Sequence, residues 1–160
     1  RNKITNQNFP LGWISSNSHD TFLDPGTGAP MAIVIKPSSA EEGITFMTED
    51  SEELQIGLLR WDGGHRIDPH SHVPIQRVIE ATSEVLFIRR GLVEMNLFTS
   101  DGEFLSSRIL SSGDVVALFR GGHGFKILED ADIVEVKQGP YTGVEEKYRF
   151  PAEEEPQGDE

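Results

Sequence analysis

His70 and His72 are the residues whose spacing most directly offers chemistry. On an extended strand side chains alternate faces, so two histidines separated by one residue leave the same face about 6.6 Å apart and can converge on one ion. On a helix the same two would diverge by roughly 200°, and Pro69 directly before them argues against a helix. The pair therefore predicts a metal-binding strand. Glu84 opens the run EVLFIRRG, which reads as a second strand ending at a Gly91 turn, and a carboxylate at that strand start is a candidate third ligand. His123, in FRGGHGFKIL after a glycine-rich turn, is a candidate fourth, with Phe125 and Ile127 on its own face of a strand. Imidazoles plus one carboxylate suit iron, nickel, manganese or zinc, and the mixture does not pick one.

Arg66 and Asp68 share face parity with His70, so a regular strand would point them at the same interior. They are candidate contacts to a polar ligand, Arg66 through a bidentate fork to carboxylate or phosphate, and a rim salt bridge is the plainer role for the two. Arg120, close to His123, is a candidate of the same kind. His65 and His19 read as ordinary loop residues, and Gln76 as a weak amide alternative to Glu84.

Together these residues resemble the cupin superfamily, whose first motif runs G-x5-H-x-H-x3,4-E-x6-G and whose second runs G-x5-P-x-G-x2-H-x3-N. Gly64, His70 and His72 match the first half of the first motif, and Glu84 to Gly91 its second half. Eleven residues separate His72 from Glu84 where the family has three or four, and Gln76 stands at the literal glutamate position. In the second motif Phe119 replaces the proline after Gly113, Arg120, Gly121 and His123 follow, and Ile127 replaces the asparagine. The resemblance covers roughly residues 54 to 138. It implies an antiparallel jelly-roll barrel holding one divalent metal ion, and a homodimer, which cupins commonly form. The segment KQGPYTGVEEKYRF is similar, more weakly, to cupin-fold metalloproteins of bacterial surface-polysaccharide biosynthesis, which implies a sugar or sugar derivative as substrate.

The elements that must position these residues read as β throughout. MAIVIKP, ITFMT and LQIGLLRW are short β-rich runs, LVEMNLFTS alternates, and Asp101-Gly102 turns the chain into EFLSSRIL. VVALF, GFKIL and IVEVKQ follow, the last two separated by EDAD. Short strands with turn signals between them and no sustained helical period predict an all-β, antiparallel jelly roll in a single domain, without internal repeat. Residues 1–30 read as an irregular arm anchored by Trp13 and Phe22, 31–150 as the barrel, and 151–160 as a disordered acidic tail. Val85, Leu86 and Phe87 make both faces of one strand apolar, which independently suggests packing against a second copy.

The chain has 160 residues, the length of one domain with a core of its own. With no cysteine, disulfides, thiolate metal sites and thiol catalysis are excluded, which agrees with a cytoplasmic setting. The net charge of −13 disfavours nucleic acid and anionic membranes as partners; setting aside the five acids of the last ten residues leaves −8. No apolar run is long enough to span a bilayer. No charged-then-apolar leader is visible, and with Arg1 as first residue a removed leader stays open. These readings lead to a metal-dependent enzyme whose ion acts as Lewis acid on a small oxygenated molecule, of isomerase or epimerase type. An Fe(II)-dependent dioxygenase and a ligand-binding cupin without turnover are the alternatives.

Overall fold

Strand β3 (Pro30–Ile35) has no polar alternation, and it is buried on both faces. In a computed structural model describing residues 12–37, 42–141, 143 and 146–151, it lies inside an antiparallel sheet between β2 (His19–Leu23) and β8 (Val115–Leu118). Ala32 and Val34 enter one apolar cluster with Leu86, Val93, Met95, Leu110, Val116 and Leu118. Ile33 and Ile35 enter a second cluster on the opposite face, with Ala117 and Phe119. A strand apolar on both sides needs a cover on both sides, and this one has it.

The sheet runs β1 (Trp13–Ser15), β2, β3, β8, β6 (Glu84–Phe98), β7 (Phe104–Ser111), and β9 (Gly122–Lys137) pairs with the remaining edge of β6. A separate hairpin, β4 (Gly43–Phe46) with β5 (Gly57–Arg60), lies over the second cluster through Met47, Leu54, Ile56 and Leu58. The described residues are therefore all-β and antiparallel, with strands and turns but no helix. The sheet does not close into a barrel. It curls far enough that Asp20 of β2 meets Arg108 of β7 at 2.9 Å, although four strands' worth of pairing separates them along the sheet.

Several sequence expectations change at this level. Residues 13–23, inside the stretch expected to be irregular, form β1 and β2; Phe22 is buried and Trp13 packs against the first cluster. Gly91 does not end a strand. It sits within β6 at φ 93°, where the register against β9 shifts between Ile88 and Val93. The inward series Glu84, Leu86, Ile88 resumes as Val93, Met95, Leu97, and β9 carries one residue more than β6 between the pairs Ile88–Ile133 and Val93–Ile127, so the irregularity changes the parity of β6 and keeps its apolar side facing the core. Likewise EDAD does not separate two strands but lies within β9. Residues 61–83, expected to carry a histidine-bearing strand, contain none. Pro69 and Pro74 remove ladder donors there, and among the described residues no strand pairs with the segment. The expected acidic tail lies outside the described residues beyond position 151.

Candidate functional site

Glu84 is the first residue of β6, paired with Leu118 on one side and Lys137 on the other. Leu118 points into the first cluster, so the directly opposite Glu84 faces the same interior, where it is 7% exposed. His123 is the second residue of β9 and lies opposite Leu97, another member of that cluster. Both side chains therefore face the same interior, and although they stand at opposite ends of the β6–β9 ladder, the bend of these strands brings them into contact. The Nε2 of His123 is 3.1 Å from Oε2 of Glu84. Their pairing holds the Glu84 carboxyl below its ordinary range: the hydrogen bond from His123 acts most strongly, burial opposes it, and the charges of His123, Lys147 and Lys137 add to the lowering.

The pair opens on a cavity of about 610 Å³, lined by Leu86, Phe125, Lys137, Tyr148 and Phe150 among others. Phe125 stands beside His123 with ring centroids 5.8 Å apart. The segment 146–150 forms part of its wall. Phe150 packs edge-on against Phe98 at 5.3 Å, and its ring lies so close to Gly122 that a Cβ there would collide with it. Lys137 and Lys147 place cationic groups on the lining, Glu135 and Glu146 anionic ones.

His70 and His72 stay near each other, with ring centroids 5.4 Å apart and planes at 70°, and both are exposed. The Nδ1 of His70 is 3.0 Å from the carbonyl oxygen of Asp68. Arg66, Asp68 and Gln76 lie on the same exposed segment. The chain thus assembles two of the four expected ligands, Glu84 and His123, and leaves the histidine pair apart from them. Among the described residues no group of three or more histidine, aspartate and glutamate side chains is placed to hold a metal. Arg120 is engaged by Glu52 at 2.8 Å and by the carbonyl of Pro30, which ties β3 to the turn before β5. His65 stacks on Trp61 at 4.0 Å. A carboxylate and an imidazole in contact at a cavity wall fit one side of a divalent-metal site; the donors of the other side are not gathered with them.

Sequence reasoning passed over two features here. The closing role of Phe150 had no periodic signal to reveal it. The buried Asp20 had one: it shares a face with Phe22 and, through pairing, with Val34. No family model matches the chain, and no curated protein or solved structure matches it either. No helix among the described residues is long and apolar enough to cross a membrane.

Proposed function

We propose that the protein is a cupin-type metal-dependent enzyme whose substrate, a small oxygenated molecule such as a sugar derivative, occupies the cavity beside Glu84 and His123. The observation that carries this reading is the 3.1 Å contact between these two side chains at the wall of an approximately 610 Å³ cavity. A divalent ion, when bound, supplies Lewis-acid polarisation of a carbonyl or hydroxyl oxygen. Glu84 and His123 would hold one side of that ion; His70 and His72, the other two expected donors, lie on an exposed segment and would have to move to join them.

The residues of the chain define the rest. Glu84, like any carboxyl of ordinary or lowered pKa, is ionised at neutral pH, the state a cation requires. Leu86 and Phe125 give the cavity an apolar flank that limits water and strengthens electrostatic contacts inside. Lys137 and Lys147 line the same space and suit an acidic substituent, a carboxylate or phosphate, on the substrate.

Elemental analysis of untagged protein, native beside His72→Ala and Glu84→Gln, tests the reading. About one equivalent of zinc, nickel or manganese, lost in both variants, supports it and directs turnover assays to phosphorylated and nucleotide-linked sugars. Iron lost in both points instead to oxygenase chemistry, checked by oxygen uptake. Native protein that neither contains nor takes up a divalent ion overturns the metal-dependent reading.

A further inference from the structure

Gly122 opens β9 without a positive φ, so its backbone conformation does not call for glycine. A glycine in a strand forfeits backbone entropy and packs no side chain, which leaves close approach as the reason for it. The approach is that of Phe150: a Cβ on Gly122 would stand 2.5 Å from its Cζ and 3.0 Å from its Cε1. Gly102, in the turn after β6, borders the same ring, its Cβ position lying 3.0 Å from Cγ of Phe150. Phe98, 8% exposed, meets the ring edge-on at 5.3 Å. The sheet thus carries a slot shaped for one aromatic side chain.

The segment that supplies this side chain lies otherwise outside the core. Residues 146–149 and Pro151 are exposed, and Phe150 between them is half-buried. Yet all of 146–150 line the cavity beside Glu84 and His123. The charge of Lys147 acts on Glu84, so the segment lies within electrostatic reach of the pair. Tyr148 continues the aromatic contact, its ring centroid 6.4 Å from that of Phe150. One half-buried ring holds far less apolar area than a paired strand, so this segment can leave while the sheet stays folded.

We propose that residues 146–150 are a strap across the cavity, latched by Phe150 in the slot between Gly102, Gly122 and Phe98, and that release of this latch admits ligands to Glu84 and His123. The slot belongs to the sheet, at the β6–β7 turn and the start of β9, and the strap is the moving part. Latched, it bounds a space of about 610 Å³, a volume that suits one small molecule. The strap controls entry whatever the cavity holds, so it does not depend on the metal reading.

Diethyl pyrocarbonate, a reagent of small-substrate size, carbethoxylates accessible neutral imidazoles, and mass spectrometry reads each histidine separately. His65, His70 and His72 are exposed and serve as internal standards. In full-length, metal-free protein, Phe150→Ala is expected to raise the rate at His123 relative to these standards about five- to tenfold, the shift that loss of a half-buried phenylalanine contact produces. Gly122→Ala keeps Phe150 but puts a Cβ in its slot, and should raise the rate similarly. Combined with Phe150→Ala it should add nothing, because both substitutions release the same latch. Phe150→Leu, which keeps an apolar latch, should fall between native and Phe150→Ala. Amide hydrogen exchange in β6 and β8 should stay slow throughout.

A His123 rate unchanged by both single substitutions overturns the strap. So does a Gly122→Ala effect that persists in full beside Phe150→Ala, or exchange across the sheet that accelerates as much as the His123 rate. The expected pattern in a protein that binds no divalent ion upholds the strap and removes the metal reading alone.

Discussion

Two carboxylates on the inner face have opposite consequences for a mutagenesis experiment. Asp20 is fully buried, with Lys36 Nζ at 2.9 Å and Arg108 at 2.9 Å. Its Oδ2 has no hydrogen bond of good geometry despite the closeness of Arg108, so that contact is charge against charge. Asp20→Ala leaves two cations facing each other around a cavity. Because both are about one-third exposed, the expected loss is about 2–3 kcal/mol, below the 3–5 of a fully buried pair, read from urea midpoints. Glu84 matters through pH. Its folded pKa lies below that of an unfolded glutamate, about 4.3, so it contributes stability that is complete above that value and disappears as pH falls through the folded pKa. In metal-free protein the stability difference between native and Glu84→Gln should therefore shrink as pH drops below about 4, and a difference constant from pH 6 to 3 contradicts the His123 pairing.

At the level of elements, β6 and β9 do most of the positioning. Their ladder covers Glu84 to Phe98 and Lys137 to Gly122, and the bulge at Gly91 lets one strand serve both halves of the core. Gly91 has φ 93°, and a Cβ there would meet the carbonyl oxygen of Asp130 and, at 2.7 Å, the Cα of Ala131. Both are backbone atoms that cannot swing aside. Gly91→Ala should cost about 2–4 kcal/mol, combining backbone strain with overpacking, and lower the melting temperature accordingly. A shift within about 1 °C would mean that the bulge is not held as described. The same bulge keeps Glu84 and His123 on a common face, so this variant should also lose metal.

For the whole molecule, fold and site separate. The two apolar clusters lie under β2, β3, β6, β7 and β8, none of which carries His70 or His72. His70→Ala should therefore leave the midpoint of metal-free unfolding unchanged within about 0.5 kcal/mol while removing most bound metal. Added metal at about 100 times its Kd should stabilise native protein by about 2.7 kcal/mol and His70→Ala by far less, measured as the rise in melting temperature after chelator treatment. Equal rises in both would detach the histidine from the ion.

The sequence by itself determined the all-β class and the positions of β3, β7 and β8, because apolar runs bounded by Gly, Asp and Ser have few other solutions. It also singled out Glu84 and His123, 39 positions apart in the chain and at opposite ends of the β6–β9 ladder, which meet because these long strands bend. Local pattern could not tell that Gly91 and EDAD lie inside strands, since a glycine or a charged run marks a turn unless a partner strand continues past it. Nor could it place His70 and His72. Their alternation is that of a strand, but a strand exists only where another edge accepts its hydrogen bonds, and among the described residues none does. Which edges are taken was decided by the tertiary structure alone, in the pairing of β3 with β2 and β8 and of β6 with β7, β8 and β9.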